Sequence, residues 1–304
     1  MVCDTLQRSK LPISGRVVRT PKASALQDRS TPSGLDHDAL AAMMEPLTDI
    51  VAQAGAAVLA VNRSKMAIDG KSDGSPVTEA DLAADRIIAK GLARLAPHIP
   101  ALSEESVEDA TPPYRGLFFL VDPLDGTKEF VAGRDEYTIN VALIADGVPV
   151  LGIVGAPALG RIWRGHVGRG AERLLVTKDG STRTAEPIRT RLTPRRGSPW
   201  IVAVSRSHGD PRSEAFIAAR PGAIRQMLGS AVKFCRVAEG GADIYPRLSR
   251  TCEWDVAAGH AVVLAAGGTV TDGNGKPVSY GGAHAGFGMP EFIAWGDPSA
   301  VETF

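Results

Sequence analysis

Apolar residues recur at helical spacing over residues 40–61: Leu40, Met43, Leu47, Ile50, Val51, Ala54, Val58 and Val61. This predicts an amphipathic helix, with Pro46 as the one position where it could break early. Residues 65–77 contain a Ser/Gly/Pro-rich stretch and read as a loop. Thr78, with Asp81 three residues on, approximates a capping box and opens a second helix that ends near Leu95, before Pro97. The pattern then changes period. Residues 117–121 are continuously apolar and predict a short buried strand that Pro123 should end. Residues 137–144 and 148–156 predict two strands joined by Asp146-Gly147, a hairpin dipeptide. Shorter strands are expected at 161–163 and 174–176, and the basic stretch 183–196 reads as a loop.

The second half starts afresh. Residues 200–204 predict a buried strand, 212–220 a helix, 230–240 a helix begun at Gly229, and 243–245 a short strand. Residues 252–255 open the last clear helix. It is apolar on most faces over 256–266, as a buried helix is, and Gly267-Gly268 ends it. Residues 269–271 read as the final strand, with a turn at 272–275. From Gly281 the pattern is uninformative. Residues 1–34 carry six Lys or Arg against Asp4 and Asp28 and show no period, so a disordered extension is expected there. An organelle-targeting role for that stretch is the minor alternative.

Composition narrows the picture. The chain has 304 residues, 44% of them hydrophobic, with 34 basic and 34 acidic side chains. Zero net charge gives no reason to expect a nucleic acid polymer as partner, while a local cluster could still take a small anion. Cys3, Cys235 and Cys252 are too few and scattered for a disulfide framework or zinc site, which fits a reducing cytoplasm. No apolar run is long enough to span a membrane. No Walker A or dinucleotide-binding glycine motif appears.

The chemistry concentrates at Asp122-Pro123-Leu124-Asp125-Gly126-Thr127. Two carboxylates three residues apart at the end of a buried strand repel unless a cation lies between them. Hard divalent cations such as Mg²⁺ favour carboxylate and carbonyl oxygen, so Asp122, Asp125 and the Leu124 carbonyl form a candidate metal set. Gly126 permits close backbone approach to a ligand. An ordinary surface turn would use the same residue types. Asp81 reads equally as a cap and as a peripheral metal ligand. Asp255, in the first turn of a buried helix, could complement the helix dipole or need a metal partner. Lys233 reads as a phosphate point charge or a surface lysine.

This string, continued by Lys128-Glu129-Phe130, resembles the signature of the lithium-sensitive, Mg²⁺-dependent inositol monophosphatase superfamily, and most of all its 3′(2′),5′-bisphosphate nucleotidase (CysQ-type) branch. Glu104-Glu105, the stretch 205–208 and Trp254-Asp255 follow the family's order. The resemblance implies an α/β (α+β) fold, a layered helix–sheet sandwich, with subdomains over 35–196 and 197–304 and the site between them. It implies two or three Mg²⁺ held by Glu104, Asp122, Leu124, Asp125, Asp255 and peripherally Asp81. Thr127 would orient a water and Glu104 help remove its proton, with Asp125 also catalytic. Substrate contacts are expected from Gly126, Thr127, Lys128, Ser205, His208, Gly229, Ser230, Lys233, Arg247 and Asp255. The implied reaction takes 3′-phosphoadenosine 5′-phosphate (PAP), a small phosphate ester, to AMP and phosphate. Inositol monophosphate, fructose 1,6-bisphosphate and a non-catalytic regulator are the alternatives. The sequence leaves the oligomeric state open.

Overall fold

The computed structural model describes residues 36–63, 68–70, 76–109, 112–177, 181–207, 209–282 and 284–302. The expectations for residues 1–34, Cys3 and His208 lie outside these. The first helix, α1 (His37–Ala60), is capped by the Asp36 carboxylate and runs unbroken past Pro46. Burial of Leu40, Leu47, Val51, Ala54 and Val58 outweighs the hydrogen bond that proline removes. Within the expected loop a short antiparallel pair forms, β1 (Ile68–Gly70) with β2 (Pro76–Thr78). Helix α2 (Glu79–Leu95) follows, with the expected capping box on Thr78 and Asp81.

Strand β3 (Ala101–Ser103) leads into a 3₁₀ turn at Glu104–Asp109. Strand β4 (Leu117–Asp125) lies parallel to β3. Pro123 does not end β4, because the ladder shifts register between Asp122 and Asp125 and the proline sits in that irregularity. The short helix α3 (Thr127–Val131) comes next. Strands β5 (Thr138–Ala145) and β6 (Val148–Ala156) form the predicted hairpin, with Asp146 and Gly147 both at positive φ. Strands β7 (Arg161–His166), β8 (Gly170–Val176) and β9 (Thr182–Ile188) complete a seven-stranded sheet in sequence order from β3 to β9. The basic stretch expected to be a loop thus supplies the edge strand β9, where one open face tolerates polar side chains.

The rest builds a five-stranded sheet. It comprises β10 (Ile201–Ser205), helix α4 (Pro211–Ala218), β11 (Ile224–Leu228), helix α5 (Val232–Ala238) and β12 (Ile244–Arg247). A two-residue strand β13 (Thr251–Cys252) precedes helix α6 (Glu253–Ala265), then β14 (Thr269–Thr271). Strand β14 is not the last. Strands β15 (Gly288–Met289) and β16 (Phe292–Trp295) follow, and β16 lies inside the sheet, whose order is β11-β10-β12-β16-β14. Strand β11 carried no predictive signal, since Ile224 and Met227 are exposed on an edge.

The elements stack in five layers: α1 and α2, the seven-stranded sheet, α5 and α6, the five-stranded sheet, and α4. One apolar cluster joins the first sheet to α1 and α2. A second fills the space between the sheets around α5 and α6. The third sits under α4. Val256, Val262 and Val263 of α6 are each fully buried, contributing roughly 1.5 kcal/mol or more apiece. Gly152 of β6 lets α6 lie this close, because a Cβ there would stand 2.3 Å from the Ala258 carbonyl oxygen. Among the described residues no helix is long and apolar enough to cross a membrane.

Candidate active site

The ends of β3 and β4 and the start of α6 converge on a cavity of about 210 Å³. Glu104, Asp122, Leu124, Asp125, Gly126, Thr127, Lys128, Ser205, Gly229, Ser230, Lys233, Arg247 and Asp255 all line it. The sequence-predicted residues are therefore brought together, with two exceptions. Asp81 does not line the cavity but reaches it through Thr127, and His208 is not among the described residues.

Local hydrogen bonds set each carboxylate. Asp122 Oδ1 accepts from the Leu124 N–H at 3.0 Å. Asp125 Oδ2 accepts from the Thr138 hydroxyl at 3.3 Å. Asp81 and Asp255 occupy the same place in two helices, the third position of a capping box. Asp81 Oδ2 accepts from Thr78 N at 2.8 Å, while Oδ1 accepts from the Thr127 hydroxyl at 3.0 Å. Asp255 Oδ2 accepts from the Thr251 hydroxyl and from Cys252 N. Capping and a role in the site are thus compatible for both residues, one oxygen serving the cap. The Thr127 hydroxyl has a second acceptor, the Leu124 carbonyl, at 3.1 Å.

Gly126 makes the turn between β4 and α3 at φ 91°, and a Cβ there would come within 2.2 Å of the Ser230 hydroxyl. Ser230 itself has positive φ, and its hydroxyl donates to the Asp125 carbonyl at 2.8 Å. This docks the loop before α5 onto the metal-candidate loop. The same seam continues through Glu136, which accepts from Gly229 N at 3.0 Å and pairs with Arg206 at 2.9 Å.

Electrostatically the cavity has two walls. On the first, burial pushes the Asp122 carboxyl well above the usual range, and Glu104, Asp125, Asp255 and Asp81 push it further. Asp125 is raised to about 7 by burial and then by Asp255, against the pull of Lys233 and Arg247. On the second wall, Lys233 is 2% exposed, and burial lowers it to about 8. Its Nζ donates to the Ser230 carbonyl at 2.7 Å and lies 5.2 Å from the centre of the Tyr245 ring. Arg247 lies within electrostatic reach of Tyr245, Asp255 and Asp125.

The chemistry of the first wall fits a hard divalent cation: every side-chain donor is a carboxylate oxygen, and removing protons from crowded, buried carboxylates is costly without a compensating positive charge. Among the described residues no three His, Cys, Asp or Glu side chains already stand in a metal-holding cluster.

Sequence reasoning missed several residues at this site. Glu129 is buried beside the cavity and accepts from the Ser207 hydroxyl. Tyr245, Thr251 and Phe292 also line the cavity. Glu129 belongs to the Lys-Glu-Phe continuation already singled out, whereas Tyr245 and Phe292 looked like ordinary strand residues.

Comparison with known proteins bears on this geometry. The model of the inositol monophosphatase family matches residues 40–290. The chain belongs to the inositol monophosphatase family. A 3′(2′),5′-bisphosphate nucleotidase CysQ of Shigella flexneri is 38% identical over 254 residues, covering 78% of this chain and 94% of that protein. A histidinol-phosphatase of Mycobacterium tuberculosis is 35% identical over 232 residues, 71% of this chain and 81% of that protein. The crystal structure of CysQ from Bacteroides thetaiotaomicron, described as a bacterial member of the family, superposes with a TM-score of 0.67 at 32% identity. It covers 85% of this chain and 96% of the other. The family fold thus accounts for the alternating layers of helix and sheet.

Proposed function

We propose that this chain is a Mg²⁺-dependent 3′(2′),5′-bisphosphate nucleotidase that hydrolyses the 3′-phosphate of PAP to AMP and phosphate. The observation that carries the reading is one cavity in which a wall of carboxylates faces the cationic pair Lys233 and Arg247. A substrate with one phosphate needs only the first wall and its metal. A substrate with a second phosphate uses both. The CysQ relatives named above support this substrate class. In this reading residues 35–196 and 197–304 act as subdomains meeting at the cavity, and a cytoplasmic setting fits the sparse cysteines.

Glu104, Asp122, Asp125, the Leu124 carbonyl and Asp255 would hold the ions, with Asp81 at the periphery. Bound Mg²⁺ supplies Lewis acidity and lowers the pKa of a water. The chain's own groups do the rest. Thr127 donates its hydroxyl proton to Asp81 or to the Leu124 carbonyl, which leaves its oxygen lone pairs to accept from the attacking water and orient it. Glu104 accepts the water's proton. The water oxygen bonds to phosphorus, the bond from phosphorus to O3′ breaks, the O3′ alkoxide takes a proton from solvent, and Glu104 releases to solvent the proton it accepted. Lys233 and Arg247 hold the 5′-phosphate as charge-assisted contacts.

The histidinol-phosphatase relative supports the main rival, a phosphomonoester without a second phosphate. Phosphate release from PAP, measured with Mg²⁺, after EDTA, and after Mg²⁺ is restored, tests the reading. Release that stops in EDTA and returns with Mg²⁺ is expected. Release indifferent to EDTA, or none from PAP, overturns it.

A further inference from the structure

Strand β5 holds two polar residues in an otherwise apolar run, Thr138 and Asn140. The register of the sheet sets each of them directly opposite an aspartate of β4: Thr138 opposite Asp125, and Asn140 opposite Asp122. Thr138 uses its position, donating to Asp125 Oδ2 at 3.3 Å. Asn140 is 1% exposed, and both its amide nitrogen and its amide oxygen are buried without a hydrogen-bond partner. On its other side β5 pairs it with Val154, which offers no polar side chain. A buried amide with both ends unsatisfied is a rare and costly feature that calls for an explanation.

Directly opposed residues on antiparallel strands have Cβ atoms about 4.5–5.5 Å apart. An amide N–H can span such a gap to a carboxylate after a side-chain rotation. Asp122 has one oxygen on the Leu124 N–H and lines the cavity. A charge-assisted hydrogen bond from a buried amide to this carboxylate has a defined use, because it fixes the direction in which the carboxylate points. We propose that Asn140 is a positioning residue for Asp122: its buried amide donates to the Asp122 carboxylate when that carboxylate turns to hold a divalent cation. The two polar residues of β5 then serve the two aspartates of β4 as a matched pair. This inference rests on the reading of Asp122 as a metal ligand.

The test uses the full chain and Mn²⁺ as the probe, with free Mn²⁺ followed by electron paramagnetic resonance and no substrate present. Wild type, Asp122→Asn, Asn140→Val and Asn140→Thr are titrated, and the metal-free melting temperature of each is recorded. Valine and threonine share a shape and suit a strand, so the pair isolates the hydroxyl donor. Asn140→Val should weaken the tightest Mn²⁺ site by about 10-fold or more, the usual cost of losing a partner behind a metal ligand. Asn140→Thr should fall between it and wild type. Metal-free melting of Asn140→Val should not drop, because the unsatisfied amide is gone. Valine and threonine variants that both bind Mn²⁺ like wild type would overturn the inference, whatever their melting temperatures. A wild type that takes no Mn²⁺, or an Asp122→Asn variant that binds as wild type does, would instead overturn the metal reading of Asp122, and this inference with it.

Discussion

The two walls of the cavity are built differently. Asp122 and Asp125 lie on β4 and Glu104 opens the 3₁₀ turn that follows the parallel strand β3, so strand pairing sets most of their spacing, and Asp255 joins them from α6. Lys233 comes from α5, in the layer between the sheets, and Arg247 from β12 of the five-stranded sheet. Their distance from the acids depends on how the loop before α5 docks, through Ser230 on the Asp125 carbonyl and Gly229 on Glu136. A site can therefore keep its acidic half on local geometry while its cationic half shifts with one seam of polar contacts. In our reading, the first wall carries the chemistry and the second carries the choice of substrate.

The acid wall should be the more fragile in activity and the less fragile in fold. Asp125→Asn is expected to lower kcat/KM by about three orders of magnitude, ~4 kcal/mol of transition-state stabilisation. Its melting temperature in metal-free buffer should hold or rise, because burial and Asp255 already disfavour the charge at this position. Steady-state kinetics and a melt on one preparation check both halves; near-wild-type turnover at saturating Mg²⁺ would break the assignment. Asp255→Asn should cost about two orders of magnitude and also lower the melting temperature, since its Oδ2 closes the capping box of α6. A change in melting alone would leave Asp255 as a cap only.

The seam between the walls should show a smaller and more selective effect. Glu136→Ala removes the acceptor of Gly229 N and the partner of Arg206. KM for PAP should rise by about 10-fold, ~1.4 kcal/mol, with kcat changed far less, because the cations move while the acids stay. Equal losses in kcat and kcat/KM would show that the seam also holds the acids.

A stability control probes the shared core rather than either wall. His260 of α6 is buried against the Tyr280 hydroxyl at 2.8 Å, and burial lowers its pKa from 6.5 to about 3. Below pH 6.5 the unfolded chain binds a proton that the folded chain refuses. Stability is thus fully present above pH 6.5 and lost as pH falls toward 3, at a limiting slope of about 1.4 kcal/mol per pH unit from this residue. Denaturant titrations of His260→Gln between pH 7 and 4 should show a shallower fall than wild type. Parallel slopes would mean that His260 already binds its proton in the folded chain.

The same contrast explains what the sequence made legible. The acid wall lies in contiguous motifs whose strand, turn and cap signals are local, so its residues could be named in advance. Pro123 misled because a register shift in β4 absorbs it. The extent of the second sheet stayed hidden. Strand β11 is an exposed edge, and β16, though central in the sheet, lies in the Gly-rich end of the chain, where no period shows. Asn140 was passed over as one polar residue in an apolar strand. Its meaning appears only once β4 and β5 are in register. Glu136 likewise gains its role from Gly229 and Arg206, both distant in sequence.

The division of labour between the walls meets its most direct test in one ratio: kcat/KM for PAP over kcat/KM for inositol 1-phosphate, at fixed Mg²⁺, in wild type and Lys233→Ala. Inositol 1-phosphate has no second phosphate for Lys233 and Arg247 to hold. The ratio should be at least about 100 in wild type, ~2.7 kcal/mol of discrimination, and should collapse toward unity in the variant through loss on PAP alone. A wild-type ratio near one would contradict the nucleotidase reading, and a ratio that survives Lys233→Ala would take substrate choice away from the cationic wall's lysine.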